Sequence, residues 1–245
     1  MKILVPISKV PDTTSKIAFT DGNTKFATDN VTFILNPTDE WYALVRALEI
    51  VEKDGGTVTV IHQGEADSEQ FIRKALAVGA HDAVRIDAPA TDGYNVALNI
   101  YEYAKDKGFD LIITGKETID YNGFQIGGMI AELMNVPFVT LASSLEISGG
   151  KATVGRDIEG GKEIVEVPTP CVISAQKGMA EQRIPNMKGI MSARTKPLVV
   201  VPAVAESFTN VKVYDMPAPK TACKMIDPEN MDELVNLLHV EAKVI

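Results

Sequence analysis

Hydrophobic and polar positions alternate along roughly the first 140 residues with two different periods. Short apolar runs such as those at residues 2–7 and 110–114 predict buried strands. Between them, apolar residues three and four positions apart predict helices. One of these helices starts after Asn36-Pro37-Thr38-Asp39, a sequence that is typical of a helix N-terminus. Strands that alternate with helices in this way predict an α/β fold, with an open, mostly parallel sheet and helices on both faces.

The pattern changes after about Leu141. Short apolar segments separated by glycine pairs, at residues 144–147, 151–155 and 162–167, predict an added antiparallel β-meander. The apolar run 171–175 then predicts a last strand that returns to the main sheet. We therefore predict a single α/β domain over residues 1–200 and a C-terminal arm over residues 201–245. The arm carries several prolines and little periodicity until an apolar helical face begins at Met231, and we expect it to pack on a partner subunit or, alternatively, on its own domain.

The stretch Gly115–Gly128, GKETIDYNGFQIGG, follows a predicted buried strand and leads into a helix that we expect to open at Phe124. In open parallel sheets, ligands bind beyond the carboxyl ends of the strands, where helix N-terminal amides attract anions. The glycines, Thr118, Asp120 and Gln125 would suit a nucleotide. The stretch lacks both the Walker pattern and the GxGxxG fingerprint. A nucleotide site and an ordinary glycine-rich turn before a helix both stay open on these grounds.

A second unusual segment covers residues 176–197. It holds five cationic residues against the single Glu181, a balance of +4, and interleaves them with isoleucine and methionine. Flexible apolar side chains among cations favour a docking surface for an acidic partner. The alternative is a long loop packed on its own domain.

Composition narrows the function classes. The formal net charge of -9 and the pI near 4.9 argue against nucleic acid and against an anionic membrane surface as partners. The absence of an apolar run of about 18 residues predicts no membrane span, and a cytoplasmic setting is expected. The three histidines fall in separate elements, so neither a metal site nor a catalytic triad is expected. Cys171 and Cys223 are expected to be buried thiols.

The chain resembles the beta subunit of electron transfer flavoproteins over nearly its full length. The segments VGRDIEGGKEIV at 154–165 and PCVIS at 170–174 look like the family's signature. The stretch 115–128 is similar to the family's AMP-binding loop, and residues 36–39 to its second nucleotide-contacting segment. Residues 183–191 and 193–197 resemble the recognition loop, whose aliphatic anchor inserts into an acyl-CoA dehydrogenase. Met187 matches that anchor, with Ile184 as a substitute.

The resemblance implies the site residues one by one, on a fold of the adenine nucleotide hydrolase-like type. AMP contacts would come from Pro6, Asn36, Pro37, Thr38, Asp39, Gln63, Thr118, Ile119, Asp120, Tyr121, Asn122, Gly123, Phe124, Gln125, Ile126, Gly127, Gly128 and Met129. The neighbouring FAD edge would involve Thr13 and Thr38, where many relatives have aromatic residues. The docking residues would be Ile184, Met187, Lys188, Ile190, Met191, Arg194 and Lys196.

The implied function is that of an electron carrier subunit without bond-making chemistry of its own. It would form a heterodimer with an alpha subunit that holds most of the FAD, accept single electrons from acyl-CoA dehydrogenases of fatty acid β-oxidation, and pass them to a membrane quinone oxidoreductase. The first alternative is a bifurcating relative with a second FAD in place of AMP, which the bulky Tyr121 and Phe124 disfavour. The second is a free-standing adenine-nucleotide sensor like universal stress proteins. A nucleotide-hydrolysing enzyme would need a metal or a general base that the sequence does not offer.

Overall fold

The computed structural model describes residues 1–220 and 222–245. The strands of this part of the chain are β1 (Lys2–Pro6), β2 (Lys9–Pro11), β3 (Phe19–Thr20), β4 (Lys25–Phe26), β5 (Phe33–Leu35), β6 (Thr57–Gln63), β7 (Asp82–Asp87), β8 (Leu111–Gly115), β9 (Phe138–Ser148), β10 (Lys151–Ile158), β11 (Gly161–Pro168), β12 (Cys171–Ala175) and β13 (Leu198–Pro202). The helices are α1 (Asp39–Asp54), α2 (Glu69–Val78), α3 (Gly93–Ala104), α4 (Ile126–Met134), α5 (Met187–Ala193) and α6 (Met231–Asn236), with a 3₁₀ turn at Ala66–Ser68 and a π-helical segment at Leu237–Ala242.

The main sheet consists of parallel strands in the order β9-β12-β8-β1-β6-β7-β13. Its central strands are buried almost throughout, as expected of a sheet that helices cover on both faces. Successive residues of β1 point to opposite faces: Ile3 packs in the core with residues of α1 and α2, and Leu4 in the core with residues of α3 and α4. The predicted α/β class is confirmed.

The predicted β-meander is confirmed, with longer strands than the sequence suggested. The first part of β9 pairs in parallel with β12, and its second part pairs antiparallel with β10, which in turn pairs with β11. Leu141 has a positive φ of 59° near the point where β9 changes partner. The predicted return of the 171–175 strand is also confirmed, because β12 lies between β8 and β9.

Two local predictions were wrong, and one segment contains strands that were not predicted. Residues 8–30 hold the short strands β2, β3 and β4, of which β2 pairs with β5 and β3 with β4; strands of two or three residues are too short to show a period. The segment 176–197 is not all loop, because α5 lies within it and is capped by Asn186. Helix α4, which includes the end of the 115–128 stretch, begins at Ile126 rather than at Phe124, because the φ of +58° at Phe124 is not helical.

The C-terminal region begins with a strand that the sequence pattern did not reveal. β13 pairs in parallel with β7, so the predicted boundary between residues 200 and 201 falls inside it. Farther along, α6 exposes the apolar side chains that the periodicity identified. Cys171 is buried as predicted, and burial raises the pKa of its thiol to about 11. The prediction for Cys223 was wrong: its segment packs little, and the side chain is exposed. Across the described residues, helices long and apolar enough to cross a membrane do not occur.

Candidate functional site

A cavity of about 590 Å³ opens at the carboxyl ends of β1, β6 and β8. Pro6, Gln63 and Gly115 are the last residues of these three strands, and all of them line it. This is the edge at which open parallel sheets bind ligands, and the volume is typical of a small-molecule site.

The loop 115–125 forms one rim of the cavity and is fixed from behind by Asn36. This side chain is fully buried; its Nδ2 donates to the carbonyl oxygen of Glu117 (3.1 Å) and its Oδ1 accepts from the amide of Ile119 (3.3 Å). At the start of the loop, a Cβ on Gly115 would lie 2.7 Å from the backbone nitrogen of Glu40. Glycine is therefore required where β8 passes the N-terminus of α1.

The predicted nucleotide residues divide into two groups. Those that line the cavity are Pro6, Gln63, Thr118, Asp120, Tyr121, Gly123, Phe124, Gln125 and Ile126. The lining does not include Thr13, Asn36, Pro37, Thr38, Asp39, Ile119, Asn122, Gly127, Gly128 or Met129. Of this second group, Asn36 and Asp39 are buried, and Asn36 acts on the site by holding the loop. Their contacts with a nucleotide stay predictions.

Glu40 lines the cavity, although the sequence analysis did not name it as a site residue. It is buried, and its two carboxyl oxygens accept from the amide (2.6 Å) and the hydroxyl (2.7 Å) of Ser8. Burial raises the pKa of Glu40 to about 8, although the hydrogen bonds from Ser8 oppose the shift. Glu40 is therefore largely protonated at neutral pH, which reduces the negative charge that a phosphate would meet.

Gln63 belongs to a buried amide network on the opposite wall. Its Nε2 donates to Oδ1 of Asn95 (2.6 Å) and to the carbonyl of Pro89 (2.9 Å), and its Oε1 accepts from Nδ2 of Asn99 (3.1 Å). The sequence analysis did not identify the two asparagines. Their spacing of four residues, one position before the inward-facing Val96 and Ile100, is the signal that could have found them.

Two buried polar atoms on the lining residues have no protein partner. Nδ1 of His62 lies 2.8 Å from the carbonyl oxygen of Ile7, so the ring donates there and leaves Nε2 as an acceptor without a bond. Burial lowers the pKa of His62, which keeps the ring neutral. The hydroxyl of Thr114 is likewise buried without a partner. Unsatisfied polar atoms of this kind are rare in folded proteins, and these two belong to residues at the carboxyl ends of β6 and β8.

The charges around the cavity are mostly compensated within the protein. Lys9 pairs with Asp67, and Lys116 with Glu117 (3.2 Å). Burial raises the pKa of Asp39, behind the loop, to about 6. Within residues 1–220 and 222–245, no cluster of histidine, cysteine or carboxylate side chains could hold a metal ion. The arrangement suits binding of a polar organic ligand.

The segment 183–197, here called the recognition segment, follows β12 in the chain and is bound to the C-terminal ends of α1 and α2. Its exposed apolar side chains are Ile184, Met187, Ile190 and Met191. A bidentate ion pair between Arg183 and Glu52 fixes its start (2.6 and 2.9 Å). At its other end the ammonium group of Lys196 donates to the carbonyls of Leu76 (2.9 Å) and Ala80 (2.6 Å). Lys196 is thus bound to the end of α2, whereas Lys188 and Arg194 are exposed.

Comparison with known proteins adds a further finding. A family model described as "Electron transfer flavoprotein domain" matches residues 23–206. The chain is 36% identical to "Electron transfer flavoprotein subunit beta" of Bacillus subtilis over the full length of both. It is 34% identical to the protein of that description from Syntrophomonas wolfei, over 94% of this chain and 91% of the other. A third such protein, from Bradyrhizobium diazoefficiens, is 30% identical over the full length of both chains.

Proposed function

Because the chain belongs to the electron transfer flavoprotein family and its relatives are described as beta subunits, we propose that it acts as such a subunit. It would bind AMP in the cavity and support an FAD that an alpha subunit mainly holds. In this role the protein is an electron carrier subunit and performs no bond-making chemistry itself. The bound FAD would supply the electron-accepting and electron-donating chemistry. The observation that carries the proposal is the cavity at the ends of β1, β6 and β8, rimmed by the loop 115–125.

The cavity fits an adenine nucleotide in size and in chemistry. The loop precedes the N-terminus of α4, where backbone amides favour a phosphate. The cations beside the lining carboxylates are largely paired, which disfavours a triphosphate. Tyr121 and Phe124 stand at the rim and reduce the room for a second flavin, so we prefer AMP.

Thr13 and Thr38 are the proposed edge of the flavin pocket. Both side chains are exposed, and Thr38 stands directly before α1. Both side chains would have to be exposed in order to contact a flavin that another subunit holds. Threonine methyl and hydroxyl groups would cover less of the flavin than an aromatic ring would.

The recognition segment is the proposed docking site for an acyl-CoA dehydrogenase-type donor. Ile184 and Met187 are 85% and 73% exposed on a segment that is fixed at both ends. Preorganised apolar side chains of this kind are typical anchors of protein interfaces. The flavin would then pass its electrons singly toward a quinone oxidoreductase.

The test is to purify the chain with its cellular partner, denature the complex, and identify the released nucleotides by chromatography and absorbance. One FAD and one AMP per heterodimer is the expected result. Two FAD would contradict the AMP assignment and place the protein with the bifurcating relatives. ATP alone, on a chain without a partner, would refute the flavoprotein proposal and favour the nucleotide sensor.

A further inference from the structure

The cavity has a wall that comes from the C-terminal region rather than from the α/β domain. Thr209, Asn210 and Val211 line it, opposite residues at the carboxyl ends of the strands. These residues belong to the segment 203–211, here called the strap, which follows β13 and runs over the N-terminus of α3. The cavity is therefore closed by a part of the chain that the nucleotide motifs do not include.

Asp92 fixes the strap through one oxygen and the helix through the other. Its Oδ1 accepts from the amide of Asn95, which caps α3 (2.7 Å). Its Oδ2 accepts from the hydroxyl of Ser207 (2.6 Å) and from the amides of Phe208 (2.8 Å) and Thr209 (3.2 Å). Partial burial acts to raise the pKa of Asp92, but these hydrogen bonds outweigh it and lower the pKa to about 2.

A second connection joins the strap to the cavity wall through buried amides. Oδ1 of Asn99 accepts from the amides of Val204 (2.9 Å) and Ala205 (3.0 Å), and Nδ2 of Asn95 donates to the carbonyl of Ala205 (2.8 Å). Both asparagines also bond to Gln63, which lines the cavity. Any ligand that orders Gln63 therefore also orders the groups that hold the strap.

We propose that the strap is part of the nucleotide site, with Thr209 and Asn210 contacting the bound nucleotide and Asp92 acting as the positioning residue that holds them there. The inference rests on the proposed AMP site and extends it to residues outside the nucleotide motifs. Because coupling between two binding events is reciprocal, the nucleotide must stabilise the docked strap by the same factor by which the docked strap strengthens nucleotide binding. The strap also continues into the rest of the C-terminal arm. Nucleotide binding in the cavity is therefore expected to affect the position of that arm.

The variant Asp92→Asn separates the two roles of this side chain. Its amide oxygen can still cap α3, since asparagine is a good N-cap residue, but its NH₂ group cannot accept from Ser207, Phe208 and Thr209. Asp110→Asn is the matched control, because Asp110 also accepts a backbone amide, that of Lys2 (2.7 Å), at the opposite edge of the sheet. Asn210→Ala removes a proposed contact at an exposed position without disturbing any packing.

The experiment uses the heterodimer and two measurements. In Asp92→Asn, hydrogen exchange at Phe208 and Thr209 and exchange of bound AMP against labelled AMP should both accelerate by about tenfold, while protection at Asn95 persists. Asn210→Ala should accelerate AMP exchange alone, and Asp110→Asn neither. Unchanged AMP exchange in both strap variants, with the strap amides loosened in Asp92→Asn, would overturn the inference and leave the AMP site intact. A wild-type heterodimer without AMP would refute the proposed function itself, and the inference with it.

Discussion

The loop 115–125 and the recognition segment both follow neighbouring strands, β8 and β12, yet they are held at different places and are built for opposite tasks. The loop faces a cavity and is fixed by a buried asparagine behind it. The recognition segment packs on α2 through the buried Ala193 and turns its larger apolar side chains toward solvent. Ligand binding at an interior polar site depends on the room in the cavity and on the protonation of its buried groups. Partner binding at an exposed apolar site depends instead on the side chains that the partner can cover.

The largest effect should come from filling space behind the loop. In Gly115→Ala, the new Cβ would lie 2.7 Å from both the backbone nitrogen and Cγ of Glu40, so α1 or the loop must move. We expect the free energy of unfolding of the heterodimer to fall by about 3 kcal/mol, as for an overpacked core, and bound nucleotide to be lost. Chemical denaturation measures the change in unfolding free energy, and analysis of the released nucleotide measures the loss of binding.

Gly161→Ala is the control for this change, because a Cβ there would meet no atom within 4 Å. It should leave both measurements unchanged. Full stability and full nucleotide content in Gly115→Ala would show that the loop tolerates the displacement, and the contrast in rigidity between the two regions would be lost.

Truncating the exposed anchor should leave the interior untouched. We expect Met187→Ala to slow reduction of the heterodimer by an acyl-CoA dehydrogenase about 30-fold, equivalent to about 2 kcal/mol for a central interface residue. Nucleotide content and thermal stability should not change, because the side chain is 73% exposed. Stopped-flow measurement of flavin reduction gives the rate.

Met225→Ala is the matched control for the docking prediction. Met225 is 85% exposed in the C-terminal region, away from the recognition segment in sequence. The two variants lose the same group, so a decrease in rate confined to position 187 would assign docking to the recognition segment. Equal rates in both variants and the wild type would remove that assignment.

The interior site should also respond to pH in a way that the exposed segment does not. Glu40 has a pKa of about 8 in the folded protein and 4.5 as its reference value. Between these values the folded state binds the extra proton, so this group lowers stability as the pH rises. We expect Glu40→Gln to reduce the loss of unfolding free energy between pH 6 and pH 8 by about 1 to 2 kcal/mol.

Chemical denaturation of the heterodimer at pH 6 and at pH 8 measures both the sign and the size of the change in unfolding free energy. The glutamine is close in shape and can still bond to Ser8, so the variant and the wild type should be equally stable below pH 4.5, and the variant should be the more stable protein from there upward. Glu49→Gln is the matched control for the loss of one carboxylate from α1, since Glu49 is partly exposed and forms an ion pair with Arg46 (2.8 Å). A variant at position 40 whose pH dependence equals that of the wild type would show that Glu40 is already ionised in the fold.

The sequence pattern predicted those features of the fold that are set by residues close to one another in the chain. The apolar runs of β1 and β8 and the helical spacing of apolar residues after Asp39 are local patterns, and they led to the observed sheet and to the edge at which the cavity lies. The role of Glu40 could not be read in the same way, because its burial depends on Ser8, 32 positions earlier. The strap was missed for a similar reason, since a segment without periodicity is placed only by its contacts with Asp92 and Asn99.

The smallest effect should come from the base of the recognition segment, and it tests whether that segment must be held rigidly. Arg183→Lys keeps the charge beside Glu52 but loses the bidentate geometry. Because Glu52 is more than half exposed, we expect a change of only about 0.5 kcal/mol in stability. Reduction by the dehydrogenase should slow by about twofold, mainly at low salt. A loss as large as that of Met187→Ala would mean that the fixed base, rather than the exposed apolar side chains, limits docking.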